Sequence, residues 1–263
     1  LHYARALELR MKLQEWVRNA KNSGWPLPAD IDKLILKEPH NLEELVWLYQ
    51  FLQPNKKITL IDIGGNSGYW SESFLHIFPH TKIYAFEPVR EMYNQYVQRF
   101  KENTQVTVFN TALGNEETEK PINVAAGYGL TSFHTYGEDL EARNVHFKEK
   151  EMVKVSTLDS FIEKMNLNGD TQVVIKVDVQ GFETNVVKGG QAVFQYTDMV
   201  IMECSFVNEF QQQSPTFGEV VTLLRQVDLH PIDFGVFDRK RSDFAYERNV
   251  LFVKSEGFKK IWK

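Results

Sequence analysis

An α/β fold, an open and mostly parallel sheet with helices on both faces, is what this sequence predicts. Three observations carry the prediction. From Ile58 onward short apolar runs alternate with stretches of helical pattern; the first run ends in a glycine loop, "DIGGNSG"; and the second ends in an acid, Glu87, placed 19 residues after Gly68. Strands that alternate with helices build parallel sheets, because each helix carries the chain back to start the next strand in the same direction.

The chain up to about Gln53 reads as three helices, 4–20, 29–36 and 41–52, broken by "NSGWPLP" and "KEPH". In the third, Asn41 is the expected N-cap and Glu44 its capping-box partner, while Leu42, Leu45, Val46 and Tyr49 mark one apolar face. The expected division is therefore a helical extension over residues 1–56, covering an edge or helping to close a site, and a main domain over 57–263. In that domain "ITLIDI" reads as a strand buried on both faces, "GYWSESFLHIF" as a helix, "KIYAFEP" as a strand, "VREMYNQYVQRFKEN" as a helix and "QVTVFNTAL" as a third strand. Later strands are "TQVVIKVDV", "DMVIMECS", "LHPIDFG" and "NVLFVK", with helices at "GFETNVVKGG" and "TFGEVVTLLRQV". The last two strands are joined by a short connection, which suits an antiparallel hairpin at the sheet edge. Between Glu116 and Val155 the alternation lapses into Gly, Thr, Ser and charge, as expected of a functional insertion or a mobile segment.

Composition narrows the function classes. With 263 residues, 43% hydrophobic and 25% charged, the chain holds one large domain or a domain with an appended piece. A net charge of −5 lacks the clustered Lys and Arg that nucleic-acid backbones require, and "DRKR" at 238–241 reads as a solvated loop. The single cysteine, Cys204, excludes an internal disulfide and a thiolate zinc site, points to a reducing compartment and is expected to be a small buried residue. No run reaches the ~20 apolar residues of a membrane span, and the amphipathic N-terminus is unlike a signal peptide. A cytoplasmic protein is the expectation. Residue 1 is Leu and not Met, which reads as a fragment or a processed product.

In a doubly wound sheet ligands bind outside the carboxyl ends of the strands, where strand order reverses, and the loop from Asp62 to Gly68 lies at such an end. Gly64 and Gly68 let the backbone turn sharply, Gly65 follows the first of them, and Asn66 is the non-glycine residue that best tolerates a left-handed conformation. Glu87 stands where an acid accepts hydrogen bonds from both hydroxyls of an adenosine ribose. A tight turn with a solvated carboxylate and no ligand is the bland alternative. Of the adenosine cofactors, a dinucleotide favours G-x-G-x-x-G, whereas the sequence from Gly64 is G-G-N-S-G-Y, preceded by Asp62. A carboxylate beside the loop repels pyrophosphate and suits the ammonium end of S-adenosylmethionine.

The runs "DIGGNSGYWS", "AFEP", "TALGNEE", "STLDSF", "IKVDVQGFE", "VVKGG" and "ECSF" together resemble the FkbM family of S-adenosylmethionine-dependent methyltransferases, from about Ile58 to Val253. The resemblance implies a Rossmann-like class I methyltransferase fold of seven strands, the last inserted antiparallel, and methyl transfer to a hydroxyl group. It places Asp62, Gly64, Gly65, Asn66, Gly68, Ser71, Glu87 and Pro88 at the cofactor, with Ala112 and Leu113 beside the adenine. The acceptor it implies is a small molecule or glycan with a free hydroxyl, a carbohydrate or specialised metabolite; a homo-oligomer stays open.

Methyl transfer to an alcohol is an in-line displacement, helped by positioning and by a base or a metal that lowers the hydroxyl pKa. Lys176 and Asp178 are two apart on a strand and hence on one face near its carboxyl end. Asp178 is the expected base or acceptor anchor and a cofactor neighbour, Lys176 its ion-pair partner, and Glu183 and Glu203 shape the pocket. An ion pair that merely stabilises the switch region is the competing reading. Ser132 and His134 lie in the insertion, where the histidine is either a base or a surface residue. His76 and His80 have helical ligand spacing but Pro79 intervenes, so no metal site is read there. Phe133, Tyr136, Phe206 and Phe210 line an apolar acceptor pocket or simply the core. A short-chain oxidoreductase lacks its tyrosine-to-lysine spacing here, and the N/D-P-P-Y/F motif of amino-group methylation of nucleic acid is absent. A cofactor-binding module without catalysis remains as the different class.

Overall fold

A computed structural model describes residues 57–126, 131–134, 147–167, 170–206, 215–234 and 247–257, with positions 11, 14, 15, 17–19, 21, 22, 44, 45, 48, 51 and 52 of the preceding part. A seven-stranded sheet runs through the middle. It comprises β1 (Lys57–Ile63), β2 (Thr81–Phe86), β3 (Val106–Phe109), β7 (Thr171–Val177), β8 (Met199–Ser205), β9 (Leu229–Phe234) and β10 (Glu247–Lys254). Their spatial order is β3-β2-β1-β7-β8-β10-β9, with β10 antiparallel to both neighbours and the other adjacent pairs parallel. The chain builds leftward from β1 to β3 and then returns to the right of β1 with β7. The order therefore reverses between β1 and β7, and that is the crevice where a ligand is received.

The helices follow from the alternation of the strands. Leu60, Val174, Ile201 and Leu251 point to one face, against Trp70, Phe74 and Ile77 of α1 (Tyr69–Ile77), Tyr96 of α2 (Arg90–Arg99) and Leu45 and Leu48 of the N-terminal part. Ile61, Ile63, Ile175, Val200, Val250 and Phe252 point to the other. There they meet a 3-10 turn at Leu158–Phe161, α3 (Ile162–Met165), α4 (Glu183–Gly189), α5 (Gln191–Tyr196) and α6 (Phe217–Arg225). Period-two alternation with apolar residues on both sides is what a doubly covered sheet demands. The expected α/β architecture and the antiparallel closing hairpin are both present.

Three readings need correction. "QVTVFNTAL" is two strands: after Phe109, Asn110 donates its side-chain amide to the Glu87 and Pro88 carbonyls and Thr111 donates to Lys154, so the chain bends. The next two residues, β4 (Ala112–Leu113), join a second sheet of order β4-β6-β5 with β5 (Thr118–Ala125) and β6 (Phe147–Ser156). The stretch from Glu116 to Val155 is accordingly an antiparallel strand pair at both of its described ends. It was missed because β6 alternates only weakly, Lys and Glu facing water until Val153 and Val155 turn inward. "GFETNVVKGG" gives a helix that ends at Gly189, and a separate short one follows Gly190.

The expected capping box of Asn41 and Glu44 cannot be followed, because Asn41 lies outside the described residues, but Glu44 itself is described. It is buried, and its two carboxylate oxygens accept hydrogen bonds from Trp70 and Asn249. Asn41, residues 29–36, Tyr136, Phe210 and 238–241 lie outside the described residues. Cys204 is a buried free thiol. Among the described residues no helix is long and apolar enough to cross a membrane.

Candidate active site

The loop after β1 is built by its own backbone demands. Gly64, Asn66 and Gly68 all have left-handed φ, at 76°, 50° and 84°. A Cβ on Gly64 would stand 1.9 Å from the Asp178 carbonyl oxygen, so only glycine lets the ends of β1 and β7 approach. A Cβ on Gly65 would stand 2.7 Å from the Tyr96 ring. Asn66 holds the left-handed state and closes a local turn, its Oδ1 accepting the Ser67 N–H at 2.7 Å. Gly68 is the N-cap of α1. On the outer side Arg99 donates to the Ser67 carbonyl at 2.8 Å, pairs with Glu72 at 2.7 Å and lies 3.5 Å over the Tyr69 ring.

Asp62 lies beneath this loop, fully buried. Its Oδ2 accepts from Ser71 Oγ at 2.7 Å and Tyr96 OH at 3.1 Å. Its Oδ1 is buried without a hydrogen-bond partner among the described residues. Ser71 thus serves Asp62, and Gly65 and Gly68 serve the packing of the loop against α2. Burial, then the Asp62 charge, pushes the Tyr96 phenol well above its ordinary range, so it remains the donor.

Glu87 follows β2 and faces the crevice. One oxygen accepts the Asn66 N–H and the other the Val89 N–H, both at 2.9 Å. Burial raises its pKa to about 7 against the pull of those two amides, with the Asp62 and Asp178 charges adding to the rise. Both oxygens keep a further lone pair for hydroxyl donors.

Across the crevice Lys176 donates to Asp178 Oδ2 at 3.0 Å, and the Gln180 amide donates to Asp178 Oδ1 at 3.0 Å and to Glu203. Lys176 is buried, while the Asp178 side chain keeps 37% of its surface exposed. Burial opposes charge on Asp178, but the Lys176 ammonium and the Gln180 amide outweigh it and hold the carboxyl below the usual aspartate range. Glu203 is pushed the other way, first by burial and then by the Asp178 charge, well above the usual glutamate range. Two acids sharing one amide are so divided into an ionised and a protonated partner. Glu183 braces the turn instead: its Oε1 accepts the Gly181 N–H at 3.0 Å, and burial raises it to about 7.

The insertion returns to this turn. Ser132 Oγ donates to the Gln180 carbonyl at 2.6 Å, Ser132 pairs with Asn123 of β5, and His134 Nε2 lies 3.1 Å from the Gly181 carbonyl. Phe133 stacks near Phe182 with ring centroids 4.8 Å apart. His76 Nδ1 sits 2.8 Å from the Glu72 carbonyl and His80 is exposed. Phe206 joins Phe217 and Phe234 in an aromatic cluster.

These elements enclose a recess of about 690 Å³ including its open mouth. Gly64, Asn66, Glu87, Pro88, Ala112, Leu113 and Asp178 line it, together with Thr111, Phe133 and Gln180. Asp62, Gly65, Gly68, Ser71, Lys176, Glu183, Glu203 and His134 stand behind that lining. Sequence reasoning missed Gln180, though it lies within "DVQGFE", and missed Tyr96, Arg99 and Glu44. Their partners are 20 residues or more away in sequence, apart from Asp178 for Gln180, and no local pattern marks them. The residues fit an adenosine cofactor with a cationic amino-acid end: Glu87 lies in the lining of the recess, and beneath the loop Asp62 keeps a buried carboxylate oxygen without a hydrogen-bond partner among the described residues.

Comparison with known proteins agrees. The profile of the methyltransferase FkbM domain matches residues 62–229, more than half of the chain. No curated protein matches by sequence. Similar solved structures include magnesium protoporphyrin IX methyltransferase from Synechocystis PCC 6803 with bound S-adenosylmethionine: TM-score 0.47, 11% identity, covering 94% of this chain and 97% of that one. Another is the N-methyltransferase NodS from Bradyrhizobium japonicum WM9, with TM-score 0.46, 10% identity and coverage of 83% and 98%. A third is 1,6-didemethyltoxoflavin-N1-methyltransferase from Burkholderia thailandensis, with TM-score 0.44, 11% identity and coverage of 96% and 89%. By its matched residues the chain belongs to the FkbM family of S-adenosylmethionine-dependent methyltransferases.

Proposed function

We propose that the protein methylates a hydroxyl oxygen on a small-molecule or glycan acceptor, with Asp178 taking the proton. The observation that carries this reading is the position of Asp178, ionised, partly exposed in the lining of the recess and fixed at both oxygens by Lys176 and Gln180. When bound, S-adenosylmethionine supplies an electrophilic methyl group on a cationic sulfur and leaves as a neutral thioether. Glu87 would accept the ribose hydroxyls, Pro88, Ala112 and Leu113 would border the adenine, and Asp62 would favour the ammonium through its field. Asp178 would accept the acceptor's O–H and so orient the hydroxyl oxygen in the recess. As the oxygen–carbon bond forms, the hydroxyl becomes strongly acidic, and a carboxylate of even low basicity can take its proton. Glu203 keeps its proton and shapes the acceptor side, Glu183 fixes the turn, and His134 ties the insertion to it.

The test has two parts. S-adenosylhomocysteine should raise the melting temperature, by an amount that grows with the logarithm of its concentration over its Kd, and NAD should not. Transfer of tritiated methyl to a panel of sugar and polyketide-type alcohols should fall by about 10²-fold or more in Asp178→Asn with S-adenosylhomocysteine binding retained. Unchanged turnover in that variant would remove Asp178 from the mechanism.

A further inference from the structure

On the sheet face covered by α1, polar side chains cross the buried strands in register. Asp62 is paired with Lys176 between β1 and β7, and Glu203 with Asn249 between β8 and β10. Asp178, two residues beyond Lys176, shares that face. Glu44 covers the row from the N-terminal part. Its Oε2 accepts a 2.5 Å hydrogen bond from Trp70 Nε1, and its Oε1 accepts from Asn249. Trp70 turns its ring to the Lys176 ammonium, with Nζ 5.8 Å from the centroid, and Lys176 donates to Asp178. Through Gln180 the contacts reach Glu203 and, across the β8–β10 register, return to Asn249. Glu44 thereby closes a ring around the ion pair, although it lies outside the residues that match the family.

We propose that Glu44 is a positioning residue of the methyl-transfer site, which orients Trp70 and holds the Lys176 ammonium against Asp178. The assignment of a catalytic consequence rests on Asp178 being the base. A glutamate serving only as a helix cap would face water; this one is buried, with both oxygens bonded to the main domain. The charges around the ammonium are Asp178 just past the end of its own strand, Asp62 on β1 and Glu44, while the protonated Glu203, next in the row on β8, adds none. Their combined field outweighs burial and holds the Lys176 pKa above the ordinary lysine value.

Glu44→Gln tests this, since it keeps the shape and an acceptor for Trp70 while removing the charge. Labelling of the native protein with acetic anhydride at pH 9, read by peptide mass spectrometry, reports the unprotonated fraction of Lys176, tenfold per pKa unit. Labelling of Lys176 should rise about tenfold in Glu44→Gln, its pH profile moving down, while exposed Lys82 and Lys101 stay unchanged. The indole N–H resonance of Trp70, assigned with Trp70→Phe, should move upfield. Trp70→Phe should itself speed Lys176 labelling, and the double variant should add nothing beyond the larger single effect; this second variant carries the test if Glu44→Gln fails to fold. An unchanged Lys176 profile in a folded variant, or full additivity, would overturn the proposal. Loss of S-adenosylhomocysteine binding in Glu44→Gln alone would overturn it too, by making Glu44 part of the cofactor site. Absence of that binding in the unaltered protein would count against the methyl-transfer reading and not against the ring.

Discussion

At the scale of single residues, the two glycines of "IGGN" do different work. Gly64 permits backbone contact between the ends of β1 and β7, while Gly65 makes room for Tyr96. Gly64→Ala is expected to cost about 3 kcal/mol or more, because it combines a positive φ with a backbone clash. It should also abolish S-adenosylhomocysteine binding. Urea unfolding and calorimetry check both; native affinity in the variant would show that the close approach is not what the loop requires. The tolerance of Asn66 for a left-handed φ was readable from its side chain. The division of labour between Asp178, which faces the recess, and Glu183, which braces a turn, was not, since both are simply acids near a strand end.

At the scale of elements, α6 is the helix read at "TFGEVVTLLRQV", and the structure adds its cap. Thr216 and Glu219 form a reciprocal capping box, with Thr216 N–H to Glu219 at 2.8 Å, and "TFGE" carries that pattern. Thr216→Ala should lower stability by about 1 kcal/mol in urea unfolding, leaving S-adenosylhomocysteine affinity unchanged, because α6 packs on the sheet face away from Trp70 and Glu44. The three-stranded sheet was hidden for the opposite reason. β4 has two residues and β6 a largely exposed first half, so neither shows the buried periodicity by which a strand is recognised.

For the whole molecule, the buried acids tie stability to pH. Glu87 and Glu183, each raised to about 7 chiefly by burial, keep protons in the folded state that the unfolded chain releases near its ordinary value. Their stabilising contribution is fully present below about 4.5 and is lost as pH rises through about 7, by at most about 3 kcal/mol for each group. Urea midpoints of Glu87→Gln and the unaltered protein, compared at pH 5.5 and pH 8, should show the unaltered protein losing ground at the higher pH. A constant difference between them would mean that Glu87 ionises normally in the fold.

The sequence by itself determined the alternation of strands and helices, the reversal point of the sheet, the loop and the acid at the end of β2. Each of these depends on residues close together in the chain, through periodicity, backbone tolerance and strand-end position. The tertiary structure alone decided which acids face the recess, which are protonated and that Glu44 joins them. Those properties depend on burial and on charges brought together from distant segments: a carboxylate's ionisation is set by its neighbours in space, and local sequence does not specify them.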